Sequence, residues 1–80
     1  MIFETLIQML KDIMVGYEID FSMINYDSRL VDDLGMNSIS MLLMSISIED
    51  QWGIGISTMD AGKFIKVRDI CDYIEKNKRL

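Results

Sequence analysis

The chain has no histidine, no proline, one cysteine, five glycines, and fewer basic residues than acidic ones. Each shortage removes a class of function. Without histidine a serine lacks its usual general base, and no Ser-x-x-Lys or G-x-S-x-G arrangement replaces it, so hydrolase chemistry has no support. A lone Cys71 cannot close an internal disulfide, which reads as a reducing, cytoplasmic setting. Eight Lys and Arg against 13 Asp and Glu give a net charge of −5, the wrong sign for a nucleic-acid partner. The longest apolar run, Ile39 to Ile48, is broken by serines and too short to span a bilayer. The N-terminus lacks the basic start of a secretory signal. No zinc-spaced ligand cluster or phosphate-cradling glycine loop is present, and the adjacent Asp32 and Asp33 lack the further ligands a metal site needs.

What remains is an acidic, half-hydrophobic chain of 80 residues, enough for one domain over residues 1–80 and one modest core. Its opening Met1 reads as the start of a complete small protein. The absence of proline and the sparse glycines favour an all-α fold. Phe3, Leu6, Ile7, Leu10, Ile13 and Met14 follow helical spacing, predicting a helix from residue 2 to about 15 that Gly16 stops. Residues 17–37 form a long connection anchored by scattered apolar residues, with a turn at Asp27-Ser28 and a short helical turn expected over Ser28–Val31. Ser57 to Asp60 reads as an N-cap signal for a short helix over 58–64, with Ala61 and Phe64 facing inward and Gly62 weakening it. Val67, Ile70, Cys71 and Ile74 predict the last helix over 67–77, with Lys76, Lys78 and Arg79 at its C-terminal end, as the helix dipole prefers.

The informative element is the helix predicted over 38–52. At about 100° per residue, Met41, Met44, Ile48 and Trp52 share one face with Ser45, while Ile39, Leu42, Leu43 and Ile46 share the other. A surface helix needs one apolar stripe, so this one carries a surplus. The Trp52 stripe is expected in the core and the second stripe exposed, open to a partner or a lipid-like cargo. Gly53 and Gly55 end the helix. At its start, Gly35 allows a sharp bend, and Asn37 and Ser38 are both good N-cap residues, so the Ser38 hydroxyl should point outward beside the positive end of the helix dipole.

The stretch Asp33-Leu34-Gly35-Met36-Asn37-Ser38-Ile39 resembles the phosphopantetheine-attachment motif of acyl carrier proteins and peptidyl carrier domains, D-x-G-x-D/N-S-L/I. The resemblance extends along nearly the whole chain: Glu49-Asp50-Gln51-Trp52 is similar to the family's acidic-then-aromatic helix ending, Ile54-Gly55-Ile56-Ser57 to its turn into a short third helix, and Val67 to Ile74 to its final helix. It implies a four-helix bundle with three main helices, a short third one and a long first loop. It also implies a non-enzymatic monomer that carries acyl or aminoacyl thioesters on a 4′-phosphopantetheine arm attached to Ser38, loaded by a phosphopantetheinyl transferase and used by fatty-acid, polyketide or nonribosomal-peptide enzymes. The docking surface it implies consists of Asp33, Met36, Ile39, Leu42, Leu43, Ile46 and Asp50. Departures stand out. Asn37 occupies a position commonly Asp in fatty-acid carriers, Ser40 and Leu43 occupy positions often acidic there, and Lys66 replaces a helix-capping threonine, so that the last helix is expected to start loosely. A less charged docking face points to a dedicated partner in a specialised pathway. The competing expectation is a degenerate carrier without an arm, a helical module that binds one partner through the apolar stripe.

Overall fold

The computed structural model describes residues 2–78, so Arg79 lies outside the described residues. Among the described residues four α-helices form: α1 (Ile2–Ile13), α2 (Ser38–Trp52), α3 (Thr58–Ala61) and α4 (Val67–Asn77). Helix α1 packs against both α2 and α4. The four-helix, all-α arrangement implied by the sequence is the one observed.

Helix α1 buries Leu6 and Leu10, with Phe3, Ile7 and Ile13 half-buried beside them, as helical spacing requires. It ends two residues before the expected boundary. Met14 remains in the core, and the chain turns at Gly16, whose φ of +93° lies in the left-handed region that favours glycine. Helix α2 resolves its surplus of apolar residues by facing. Met44, Ile48 and Trp52 are buried, and Met41 is half-buried against them, so the Trp52 stripe is the core stripe. Ile39, Leu42, Leu43 and Ile46 are exposed at 71%, 60%, 47% and 52%. Gly53, at φ +66°, ends α2 in a left-handed cap, its N–H donating to the Glu49 carbonyl.

The long connection is packed rather than trailing. Leu30, Leu34 and Met36 enter the core, and the radius of gyration of 11.6 Å matches the roughly 12 Å of a compact chain this size. Asp20 caps a short 3₁₀ turn over Phe21–Met23 by accepting the Ser22 N–H. The helical turn expected over Ser28–Val31 sits later, over 30–34, because the Asp33 carboxylate accepts the Arg29 N–H at 2.7 Å and the Arg29 carbonyl takes the Asp33 and Leu34 amides. Three backbone bonds then fasten the connection to the start of α4: Leu30 N–H to Ile65 O (2.9 Å), Val67 N–H to Ser28 O (3.0 Å) and Arg68 N–H to Tyr26 O (2.8 Å).

Helix α3 begins where Ser57 Oγ accepts the Asp60 N–H, but stops at Ala61 rather than 64. Beyond it the Lys63 and Phe64 amides bond three residues back, a tighter turn that swings Phe64 into the core. The start of α4 is held despite Lys66. One Asp69 carboxylate oxygen accepts both the Ile65 and Lys66 amides, at 3.0 and 2.9 Å, so the third helical position reaches back to fasten the two residues ahead of the helix, the acidic half of a capping box.

Candidate functional site

Ser38 is the first residue of α2, and Asn37 is its N-cap. Asn37 Oδ1 accepts the Ile39 and Ser40 amides at 2.9 and 3.0 Å, while Ser40 Oγ accepts the Asn37 N–H at 2.8 Å. This reciprocal box occupies the side chains on either side of Ser38 and leaves its own hydroxyl out of the cap. Ser38 is exposed, and its side chain has no hydrogen-bond partner among the described residues. Immediately upstream, Gly35 at φ +75° reverses the chain so that the serine stands clear of the loop. The hydroxyl is therefore accessible and lies at the positive end of a 15-residue helix, which favours a phosphate there.

From Ser38 a cleft of about 720 Å³ runs along α2. One wall is α2 itself, through Met41, Leu42, Ser45, Ile46 and Glu49; the other is Ile56 to Thr58, Ala61 and Phe64. Ser38 and Glu49 are eleven residues apart, so the α2 wall is roughly 16 Å long at about 1.5 Å per residue. The far end is closed by Glu49, whose Oε2 accepts the Ile56 N–H at 2.7 Å. The α3 wall is tied to α4 by Tyr73, whose hydroxyl lies 2.9 Å from the Gly55 carbonyl and 3.2 Å from an Asp60 carboxylate oxygen, with its ring edge-on to Phe64 at 5.4 Å. Burial and the bond to Asp60 push the Tyr73 phenol above its ordinary value.

The expected docking residues divide. Asp33, Ile39, Leu42, Leu43, Ile46 and Asp50 are exposed, and all but Asp33 lie along α2. Met36 does not belong with them. It is 3% exposed, because its N–H donates to the Leu30 carbonyl and folds the side chain beneath the loop, into the core and the floor of the cleft. Asp33 is outward but also structural, through its bond to Arg29. Cys71 is 7% exposed, and its thiol is pushed up to about 11, mainly by burial and then by Asp72 and Glu4, so it stays protonated and unreactive near neutral pH. Three residues that shape the site had not been singled out for it. Ser40 had a legible signal in its spacing from Asn37, while the ties made by Glu49 and Tyr73 span 7 to 18 residues across turns and leave no periodic pattern. Among the described residues no helix is long and apolar enough to cross a membrane.

Comparison with known proteins agrees with this geometry. A family model described as the phosphopantetheine attachment site matches residues 5–74. The acyl carrier protein of Solidesulfovibrio magneticus is 37% identical over 60 residues, covering 75% of this chain and 77% of that protein. The acyl carrier protein of Campylobacter jejuni is 31% identical over 61 residues, covering 76% and 79%. A solved Mycobacterium tuberculosis structure assigned to the acyl carrier proteins superposes with a TM-score of 0.81 at 25% identity, over 95% of this chain and 97% of that one. The apo doublet acyl carrier protein from prodigiosin biosynthesis has the same fold, with a TM-score of 0.77 at 19% identity; this chain spans 37% of that one. A match over residues 5–74, joined to relatives that are carriers rather than catalysts, places the chain in the phosphopantetheine-binding acyl carrier protein family.

Proposed function

We propose that Ser38 is the attachment residue and that the chain is a monomeric carrier domain in the cytoplasm, shuttling acyl or aminoacyl thioesters between the enzymes of a specialised pathway of the polyketide, nonribosomal-peptide or fatty-acid type. One observation carries the reading: an exposed serine hydroxyl at the first position of a capped helix, opening onto an apolar-walled cleft. The residues present fit a phosphopantetheine group. Nothing among the described residues covers the Ser38 hydroxyl, the positive end of the helix dipole favours the phosphate, and the neutral Asn37 places no anion beside it. The cleft has room for cargo along Met41, Ile56 and Phe64. When bound, the group supplies a thiol for thioester chemistry. This chain's own part is to present Ser38, to hold the helix end that faces the phosphate, and to offer the α2 surface to partner enzymes.

Loading consists of attack by Ser38 Oγ on the β-phosphorus of coenzyme A. The serine proton passes to a base of the phosphopantetheinyl transferase, and adenosine 3′,5′-bisphosphate leaves. The test is incubation with coenzyme A, magnesium and a broad-specificity transferase, followed by intact-mass measurement. The expected result is one added phosphopantetheine on the wild type and none on Ser38→Ala. An unchanged wild-type mass, or loading that survives Ser38→Ala, overturns the proposal.

A further inference from the structure

The wall that α2 presents to the cleft is crossed by a polar line. At about 100° per residue, Ser38, Ser45 and Glu49 fall within about 40° of one another down the helix. Met41 flanks them on one side and Leu42 and Ile46 on the other, and each of these residues lines the cleft. A chain lying along the middle of the wall therefore passes a hydroxyl about 10 Å from Ser38 and a carboxylate about 6 Å further on, at 1.5 Å per residue. The serines of this helix differ in state. Ser40 Oγ is bound into the cap, accepting the Asn37 N–H and donating to the Asn37 carbonyl. Ser45 is 9% exposed, and its hydroxyl has no hydrogen-bond partner among the described residues. Serines inside helices often satisfy themselves by donating to the carbonyl four residues back, here that of Met41, and Ser45 does not. Its oxygen is not sealed off, so water completes its bonding while the cleft is open.

We infer that Ser45 selects cargo oxygenated along its acyl chain, a hydroxyacyl or oxoacyl group, over a saturated chain of the same length, by hydrogen-bonding that oxygen inside the cleft. The inference rests on Ser38 being the attachment residue. A saturated chain laid over Ser45 drives out the water and puts methylenes in its place, which strands the hydroxyl. An oxygen on the chain restores the bond at the same position. A wall that offers an unpaired hydrogen-bonding group rejects the analogue lacking its complement, whereas a wholly apolar wall of the same shape discriminates far less. Further along the same line one Glu49 oxygen is taken by the Ile56 N–H, so a chain that reaches the closed end meets a second polar group rather than a hydrocarbon floor.

The experiment loads the wild type and Ser45→Ala from coenzyme A carrying octanoyl, 3-hydroxyoctanoyl or 7-hydroxyoctanoyl groups, and from coenzyme A alone. Each thioester is cleaved with hydroxylamine, and the rate for the same acyl group on free pantetheine is divided by the rate on the carrier to give a shielding ratio. Far-ultraviolet circular dichroism checks that Ser45→Ala is folded. In the wild type the better shielded hydroxyoctanoyl chain should exceed octanoyl by about three- to tenfold, the worth of one neutral hydrogen bond. In Ser45→Ala that gap should close. The amides of Ser45 and Ala61, on opposite walls of the cleft, should shift in nuclear magnetic resonance spectra when the arm gains hydroxylated cargo. Equal ratios for all three chains in the wild type overturn the inference and leave the proposed function intact. So does a gap that survives in Ser45→Ala. A Ser45 amide shift equally large on the arm without cargo would assign the hydroxyl to the arm and overturn it likewise. Failure of coenzyme A itself to load overturns the proposed function, and this inference with it.

Discussion

Asn37→Ala tests the geometry on which the site depends. The substitution removes one side-chain oxygen and frees two amides, those of Ile39 and Ser40. The Ile39 amide recovers water, since that residue is 71% exposed, so its loss is small. Ser40 is only 6% exposed, and its amide recovers little. An N-cap replaced by alanine costs about 0.5–2 kcal/mol, and the buried Ser40 amide places this one in the upper half, about 1–2 kcal/mol. A domain of this size loses about 4–8 °C of melting temperature per kcal/mol, so the expected fall is on the order of 10 °C. The single core leaves about 3–5 kcal/mol of stability, so the variant stays folded at room temperature. Asn37→Asp is the control. It keeps the acceptor oxygen and adds an anion at the positive helix end, worth about 0.3–1 kcal/mol, so it should melt at or above the wild type. Thermal melts by circular dichroism read both, and transferase loading reads the position of Ser38, whose rate should fall in Asn37→Ala as the first turn frays. An Asn37→Ala melt equal to that of the wild type, or an Asn37→Asp melt as low as that of Asn37→Ala, would refute the reasoning.

Ile48→Ala, at a fully buried position, should cost about 2–5 kcal/mol and leave the domain largely unfolded in a urea titration, since that is close to its whole margin. Tyr73→Phe removes the hydroxyl that ties Gly55 and Asp60 to α4, a loss of about 0.5–1.5 kcal/mol, and hydrogen exchange should quicken over Thr58–Ala61 before it changes in α1. Alkaline stability should fall between the ordinary thiol value of 9.0 and about 11, because the unfolded chain gives up the Cys71 proton first and rising pH then favours unfolding. A shift of that size is worth about 2–3 kcal/mol, and Tyr73 adds in the same direction. Cys71→Ala should flatten the cysteine part of the slope in denaturant titrations across that range, and an unaltered slope would count against its burial as the cause.

The elements legible in the sequence are those whose signals are local. Helix α2 runs from Ser38 to Trp52 as expected, because Asn37 and Gly53 mark its ends by side-chain and backbone chemistry that needs no partner elsewhere. The division of its two stripes was also readable, since only one of them holds Trp52. Helix α3 proved shorter than its cap signal implied, because what ends it is the demand of Phe64 for the core, and a core is not visible in a window of seven residues. The same holds for the pairing of Arg29 with Lys66, whereas the 3₁₀ turn at Phe21–Met23 is local, held by Asp20 through the Ser22 amide and hydroxyl, and too short to leave a periodic pattern. Met36 shows the limit of reading a surface from neighbours in sequence: it lies two residues from an exposed serine and is nevertheless buried.

The stitching of residues 26–30 onto 65–68 has a consequence for how the molecule comes apart. Joining chain segments some forty residues distant requires closing a large loop, a cost in chain entropy that the three bonds and the burial of Leu30 and Val67 offset together. Leu30 hangs from that seam through Ile65, and Met36 hangs from Leu30. A shift at the head of the last helix therefore passes back through the loop to the turn just ahead of Ser38, so a seam some forty residues away in sequence steadies the exposed hydroxyl.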